Sequence, residues 1–556
     1  MCSRIRLCKE NIIRSLPVVL FFSFLLSIFA PLEIYLSNKG YFFFEGSEML
    51  GYMALVCIIL FVLCSIVLTV AGLIGEKLFK LIFGMFFGGT LALYIQGNWD
   101  LTDYGAWNGS EIDWSQFRGR AIAFILVFAL LIVCCGIFSL LKHEVFIKVS
   151  KYLSTFIMLI LVVTLGTVML TNDGLKKDKE YIATTEEELQ LSGEKNMIIL
   201  TLDAYDSSAF ESLVCGNEEY QELFEDFTYY PNTIGGFSST DMSVPLILTG
   251  NGYKNECLFG DYLNQSYAES RLMNWLDSNR WEKDVYFDGL LPQGENGFAL
   301  SNSKELKRVV SDRKALMNYM YTMVLFRYMP QPIKNHFYFY ADNIKGNLNS
   351  VKGDYMPYTA SNFEFADVID RMTAKKGKGV FQYIHVEGAH EPFDLTAEFT
   401  QSESETSYED ECVGVLSLVD KYLSALRNEG IYDNSILIIM ADHGYYNSRQ
   451  NPLLLVKGYD EHHDFEISYA SVSYYDLQDG YIRLLDGASS GGNVFDSIGE
   501  DERGRKYAFA PWNTHLNYDT YSGSFSEITF YGNARDFSNY VDDGIEYAEP
   551  GSSKVK

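Results

Sequence analysis

At 556 residues the chain is too long for one ordinary hydrophobic core, so two or more domains are expected. Its charge of −28 is unevenly spread: residues 1–171 hold 12 Lys/Arg against 10 Asp/Glu, which leaves −30 for the remainder. So acidic a remainder lacks the basic surface that nucleic acid requires, and no nucleic-acid partner is expected; the charge speaks mainly for solubility.

Five apolar segments occupy the first part of the chain, at about 16–36, 50–73, 78–96, 121–141 and 152–171. Each is near the twenty residues that a helix needs to cross a bilayer. The first is too long for a removable signal peptide and lacks its small-residue cleavage site. Residues 1–171 are therefore expected to form a five-helix transmembrane domain. Arg4, Arg6, Lys9 and Arg14 precede the first span, Lys77 and Lys80 follow the second, and Lys142, Lys148 and Lys151 follow the fourth. The positive-inside rule then puts the N-terminus in the cytoplasm, and five crossings deliver the rest outside. The expected location is the cytoplasmic membrane, multi-pass, with the large domain extracytoplasmic. Of the three cysteines beyond the spans, Cys215 and Cys257 can be read as a disulfide pair, or all three with Cys412 as free thiols.

Residues 172–195 are polar and charged, and read as a juxtamembrane linker with a short helix around "TTEEELQLS". A catalytic domain is expected over 196–490. Within it "NMIILTLD" (196–203), "GVFQYIHV" (379–386), "SILIIMAD" (435–442) and "PLLLVKG" (452–458) are short apolar runs of buried-strand type. Leu416, Val419, Leu423 and Leu426 recur at helical spacing, and Gly430 suits the end of that helix. Strands alternating with helices predict an α/β fold with a mainly parallel sheet. The aromatic-rich segment 311–340 is read either as lying on the membrane surface or as a helix packed on the sheet. Residues 491–556 are expected to supply a small accessory sheet, with strands in "RGRKYAFAPW" and "SFSEITFYG", and a tail.

Parallel sheets bind ligands beyond the C-terminal ends of their strands. Three of the four apolar runs deliver polar groups to that edge: Asp203; His385, Glu387 and His390 in "IHVEGAHEP"; and Asp442 with His443 ahead of Gly444. Carboxylates and an imidazole are suitable ligands for Zn²⁺ or Mn²⁺. The stretch "GGFSSTDMSVPLILTG" (235–250) offers Ser238, Ser239 and Thr240 just before a helix expected to begin near Asp241 or Ser243. A hydroxyl there gains from the helix dipole and, beside a metal, becomes a nucleophile. Spacing alone leaves the choice among the three open, and all three can equally be capping residues.

The order of these segments resembles the sulfatase/alkaline phosphatase superfamily, with an apolar strand ending in an acidic residue, a nucleophile ten residues before the Gly of a "TG" pair, and a late "DHG". Counting back from Gly250 selects Thr240. The stretch "HVEGAHEP" is similar to the "HxxGxHxP" pattern of phosphoethanolamine transferases at His385, Gly388, His390 and Pro392, while Ala389 and Glu391 depart from its usual residues. Five spans followed by an external catalytic domain also resembles those transferases and lipoteichoic acid synthases. The resemblance implies one divalent metal ion, Mn or Zn, held by Asp203, Thr240, Asp442 and His443. It implies Thr240 as catalytic nucleophile and His390, with His385, as substrate-binding residues. Glu387 is a candidate for a second metal, and His462 and His463 for a further substrate histidine. It also implies a membrane phospholipid donor and a cell-envelope glycan or lipid acceptor. Sulfatases that form formylglycine need Cys or Ser at the nucleophile, Pro or Ala two places on and Arg four places on; Thr240, Met242 and Val244 stand there instead. Threonine points to phosphoryl transfer, with a phosphodiesterase or phosphatase and a catalytically silent envelope scaffold as the alternatives.

Overall fold

The computed structural model describes residues 2–39, 42, 44–100, 102, 104, 112–171, 175, 181–293, 300–306, 308–338, 349–351, 356–402, 404, 406–446, 449–499, 503–510, 516–518 and 520–548. The chain divides into two compact units, Met1–Asp178 with Lys307–Lys352, and Lys179–Leu306 with Gly353–Lys556.

The first unit holds five helices long and apolar enough to cross a membrane: Glu10–Ser37, Gly46–Ile74, Glu76–Trp99, Trp114–Leu141 and His143–Thr171. The chain is thus built as a multi-pass membrane protein. Within the first span, α1 (Cys2–Phe24) passes through a π-helical turn at Leu25–Phe29 into α2 (Ala30–Ser37). Pro31 accounts for that turn, since it has no N–H for the carbonyl one turn back and its ring crowds the same carbonyl. The later spans are α3 (Leu50–Ile74), α4 (Glu76–Trp99), α5 (Arg118–Leu141) and α6 (His143–Thr171). Small residues let α4 and α5 approach closely: a Cβ on Gly84 would lie 2.5 Å from the Cys135 carbonyl oxygen, and one on Gly88 would strike the Leu131 backbone.

The segment expected on the membrane surface or on the sheet belongs to this unit. The helix Arg313–Tyr328 packs on α2 and α4. Arg327 pairs with Glu33 and donates to the Gly97 carbonyl at 2.8 Å, and the Tyr328 ring covers Gly97, where a Cβ would collide with it. Lys334 and Asp100, both nearly fully buried, lie 3.4 Å apart. Its polar partners are therefore at the ends of the spans, and residues 307–352, inside the run 196–490, fall in the first compact unit.

The second unit is built on a seven-stranded sheet. Its strands are β1 (Asn196–Leu202), β2 (Thr228–Tyr229), β3 (Glu282–Tyr286), β4 (Val380–Val386), β5 (Ser435–Met440), β6 (Leu454–Lys457) and β7 (Glu466–Ile467). The order is β7-β2-β6-β5-β1-β4-β3. β3, β4, β1 and β5 run parallel, while β6 is antiparallel to both neighbours. Every residue of β1, β4 and β5 is buried, as both-face packing requires. Helices α7 (Ser207–Val214), α8 (Thr240–Thr249) and α9 (Tyr408–Asn428) belong to the same unit. In α9, Leu416, Val419, Leu423 and Leu426 are buried as their spacing predicted, and Gly430 follows at φ 68°.

The expected linker helix is absent. Tyr181–Ala183 pairs with Ser303–Glu305 and Gln190–Ser192 with Thr373–Lys375, because Leu189 and Leu191 are drawn fully into the core; residues 172–174 and 176–180 of that stretch lie outside the described residues. Toward the C-terminus, Arg505–Phe509, Phe525–Phe530 and Tyr540–Tyr547 form an antiparallel sheet, of which the sequence showed the first two strands; Pro511 and Trp512 of the expected first strand lie outside the described residues. Cys215, Cys257 and Cys412 are free thiols.

Candidate functional site

Register brings the polar groups together. Leu202 is level with Val386, and Thr201 with both His385 and Met440. Continued past the last pairs, the register puts Asp203, Glu387 and Asp442 at one level of the sheet edge. His385 lies one pleat below, on the same face. One ligand atom each from Asp203, Asp442 and His443 falls within 4.8 Å of the others. His443 Nε2 is 3.7 Å from Asp203 Oδ1 and 3.6 Å from Asp442 Oδ2, and His385 Nε2 is 3.8 Å from Asp203 Oδ2 and 3.9 Å from Asp442 Oδ2.

The backbone is shaped for this meeting. Gly388 has φ 59°, and a Cβ on it would lie 2.6 Å from the Leu202 carbonyl carbon and 2.7 Å from the Asp203 oxygen. Only glycine fits where the β4 loop crosses the end of β1. Asn362 clamps that glycine by accepting from its N–H and donating to its carbonyl, both at 2.9 Å. Ala204 takes a left-handed φ of 56°, and its N–H donates to Asp442 Oδ1 at 3.3 Å. Tyr408, at the start of α9, holds the same turn through the Ala204 carbonyl (3.0 Å) and the Asp206 N–H (2.9 Å). What Gly444 contributes is its carbonyl, which accepts from His443 Nδ1 at 2.9 Å and so leaves Nε2 with a free lone pair facing the carboxylates.

Thr240 is the first residue of α8, slightly earlier than the expected start, and Ser239 before it makes no side-chain cap. The first N–H groups of α8 therefore keep the anion-attracting character of a helix N-terminus. Gly250, at φ 76°, ends the helix. Thr240 lies beside Asp442, whose charged form it favours.

Burial, and next the Asp442 charge, hold Asp203 well above the usual carboxylate range. Burial opposes ionisation of Asp442 too, but His443, His385 and Thr240 together outweigh it and hold that carboxyl below its ordinary value. Burial lowers His443 and favours the neutral, ligating imidazole. Asp203 Oδ1, Asp442 Oδ2 and both ring nitrogens of His385 are buried without a hydrogen-bond partner. Such a set is costly unless something satisfies it. Ligands about 2.1 Å from a shared tetrahedral ion stand about 3.4 Å apart. The spacing, the orphaned atoms and the O,O,N donor set all fit a divalent cation.

In front of the cluster opens a cavity of about 500 Å³, lined by Asp203, Thr240, His385 and His390 with Asp241, Phe287, Asp288, Gly289, Ala360, Ser361 and Glu387. His390 is exposed there, its Nδ1 donating to the Glu391 carbonyl at 2.6 Å. His462 and His463 do not line it. His463 is tied to Asp226, Asp464 and Glu461, and His462 faces Asp226 and Asp460 at 3.8 and 4.0 Å. They are held by their own loop because Glu461 is pinned by the N–H groups of Gly458, Gly491 and Gly492. Ser238 is placed otherwise than as a nucleophile: its Oγ accepts from the Ala510 N–H at 3.0 Å. Sequence reasoning did not find Asn362, Tyr408, Asp288 or Arg449. The Arg449 guanidinium bonds the Ser238 carbonyl at 3.0 Å, and its charge reaches Asp203 and Asp442. Its only signal was a cation a few residues after "DHG".

No family model matches this chain, and no curated protein matches it. Among solved structures it is similar to Ps i-CgsB in complex with k-i-k-neocarrahexaose (12% identity, 60% of this chain and 82% of that one, TM-score 0.39). It is similar to the phosphonate monoester hydrolase SpPMH from Silicibacter pomeroyi (11%, 62% and 88%, TM-score 0.36). It is also similar to the lipoteichoic acid synthase LtaP from Listeria monocytogenes (11%, 66% and 90%, TM-score 0.32). With TM-scores this low, the likeness decides nothing about the chemistry of this chain.

Proposed function

We propose that the protein is a membrane-anchored, metal-dependent phosphotransferase of the sulfatase/alkaline phosphatase type. It moves a phosphoryl-linked head group from a membrane phospholipid to a cell-envelope glycan or lipid. The observation that carries this reading is the Thr240 hydroxyl, at an uncapped helix N-terminus, beside a buried Asp203–Asp442–His443 cluster with unsatisfied polar atoms. A divalent cation held by Asp203, Asp442, His443 and Thr240 would supply Lewis acidity and a lowered pKa for the hydroxyl. The N-terminus of α8, which has no side-chain cap, favours the anionic phosphoryl group at the same point. Asp442 takes up the hydroxyl's hydrogen-bonding capacity and His443 stays neutral through its bond to Gly444. Thr240 Oγ forms the bond to phosphorus, the lipid's diacylglycerol leaves as the alcohol, and the head-group phosphate remains on Thr240 until an acceptor hydroxyl takes it. His390 and His385, both on the cavity wall, would bind phosphoryl oxygens. The positive-inside pattern supports an extracytoplasmic site in the cytoplasmic membrane. Anchoring keeps the lipid donor at high effective concentration.

The test is mass spectrometry of the Thr240 peptide after incubation of the full chain with membrane lipids and Mn²⁺. A head-group phosphate adduct is expected on Thr240 and absent from Thr240→Ala. Undiminished transfer by Thr240→Ala would refute the assignment.

A further inference from the structure

Ser238, two residues before Thr240, is held at each of its polar groups. Its N–H donates to the Ala508 carbonyl at 3.2 Å, its Oγ accepts from the Ala510 N–H at 3.0 Å, and its carbonyl accepts from Arg449 at 3.0 Å. Phe237 beside it is buried, bridges to Ala508 in parallel register and packs edge-on against Phe525. The Ala508 N–H in turn donates to the Gly236 carbonyl at 2.9 Å. One side of the loop that leads into α8 is therefore bonded along the C-terminal strand Arg505–Phe509, and the other side meets Arg449. Because Ser239 adds no side-chain cap, the constraint on where Thr240 stands passes through Ser238.

Arg449 also belongs to the turn that carries the cation ligands. Its carbonyl accepts from the Gly444 N–H at 3.0 Å, closing the loop after His443, and the next carbonyl, of Gln450, accepts from the Gly235 N–H at 2.9 Å. One residue thus joins the loop before Thr240 to the loop after Asp442 and His443. Its charge is costly there. Burial disfavours the charged guanidinium, and a positive charge whose field reaches Asp203 and Asp442 opposes the loading of a divalent cation. What the charge gains is a bond to the Ser238 carbonyl stronger than a neutral donor would make. Arg449 is not among the residues that line the cavity.

We infer that Arg449 is a positioning residue for Thr240: by holding the Ser238 carbonyl, with the C-terminal sheet behind it, Arg449 fixes the nucleophile loop relative to the Asp442–His443 turn. It acts through Ser238 and touches no substrate. The effect on rate rests on the transferase reading above; the effect on the loop does not.

The experiment compares the wild-type full chain with Arg449→Met, which keeps an unbranched side chain and removes the charge and the donors. Proteoliposomes of total membrane lipid with Mn²⁺ give the rate of adduct formation on Thr240 as the lipid fraction is varied. Hydrogen exchange gives the protection of the Ser238 and Ala508 amides. In Arg449→Met the saturating rate is expected to fall by about tenfold or more, while the half-saturating lipid fraction stays within about threefold. Exchange at both amides is expected to rise by about tenfold, with Mn²⁺ still bound. A saturating rate within about threefold of the wild type overturns the inference, whatever the exchange. So does loss of Mn²⁺, which would make Arg449 part of the cation site, or a raised half-saturating lipid fraction, which would make it a substrate contact. If the wild type itself acquires no adduct on Thr240, the transferase reading fails and exchange alone decides: a rise in Arg449→Met upholds the positioning role and no rise overturns it. Should Arg449→Met not fold, Ser238→Ala removes only the bond from Ala510; a rate lowered by about threefold or more upholds the inference, and an unchanged rate overturns it.

Discussion

Replacing Gly388 by alanine separates the role of close backbone approach from that of mere turn geometry. The added Cβ would sit 2.6 Å from the Leu202 carbonyl carbon and 2.7 Å from the Asp203 oxygen, both backbone atoms that no side-chain rotation can clear. Relief to ordinary contact needs a shift of about 1 Å between the β4 loop and the end of β1, because the Asp203 nitrogen would lie only 2.4 Å away. The left-handed φ of 59° adds about 1–2 kcal/mol for alanine, and overpacking about 1–3 kcal/mol more. A displacement of that size at Asp203 should weaken Mn²⁺ binding by about 10- to 100-fold and lower transfer by a comparable factor. Gly487→Ala is the matched control, because its φ is 66° but a Cβ there meets nothing within 4 Å. It carries the same backbone penalty of about 1–2 kcal/mol and no effect on the metal. Calorimetric Mn²⁺ titrations and thermal unfolding of both variants make the comparison. Equal metal affinity in the two proteins would refute the claim that the Gly388 crossing positions Asp203.

The clamp on the same glycine is open to test: Asn362→Ala removes both 2.9 Å bonds to Gly388 and strands two buried backbone groups, which should cost about 2–4 kcal/mol in chemical unfolding and weaken Mn²⁺ binding. Loading the cation cluster at a hundredfold excess over its Kd should stabilise the folded protein by about 2.7 kcal/mol, and EDTA should reverse this. Asp442→Asn should show no such shift, and an undiminished shift in that variant would remove Asp442 from the ligand set. Away from the site, burial raises the Asp284 carboxyl from 3.8 to about 7, with its Oδ1 and the neighbouring Gln382 Oε1 both lacking partners. A proton on Asp284 is favoured in the folded state, so the stability it confers is complete below pH 3.8 and lost as pH rises through 7. The slope should be about 1 kcal/mol per pH unit between pH 5 and 7, levelling off above. Asp284→Asn, which keeps donors for Gln382, should flatten that dependence in urea melts across the same range.

The spans and the central strands were legible from the sequence because each declares itself locally. A twenty-residue apolar run must be helical in a bilayer, where every backbone group has to be bonded within its own segment. A run of five to seven apolar residues ending in Asp203, His385 or Asp442 is a strand buried on both faces, as in Asn196–Leu202, Val380–Val386 and Ser435–Met440. Such runs also show which end of the sheet bears polar groups, and the residue types there are ones that can ligate a cation. What remained hidden depended on partners distant along the chain. Nothing near Arg313–Tyr328 indicates that it joins the membrane helices, since its decisive contacts are with Glu33, Gly97 and the segment around Ser27. Nothing near Leu189 and Leu191 shows that a core waits to make strands of a polar stretch. His462 and His463 have the chemistry of ligands, but the pinning of Glu461 by Gly458, Gly491 and Gly492 keeps them with their own loop.

Sequence alone therefore determined which segments are long and apolar enough to cross a membrane, which strands build the core and which side chains can hold a cation, because hydrophobic length, burial pattern and donor chemistry are properties of a residue and its neighbours. Tertiary structure decided that Asp203, Asp442, His443 and Thr240 meet, that Gly388 and Asn362 hold them there, and that three further carboxylates share their cavity. Strand register and loop crossings set those distances, and both arise only when residues far apart in the chain are packed against one another.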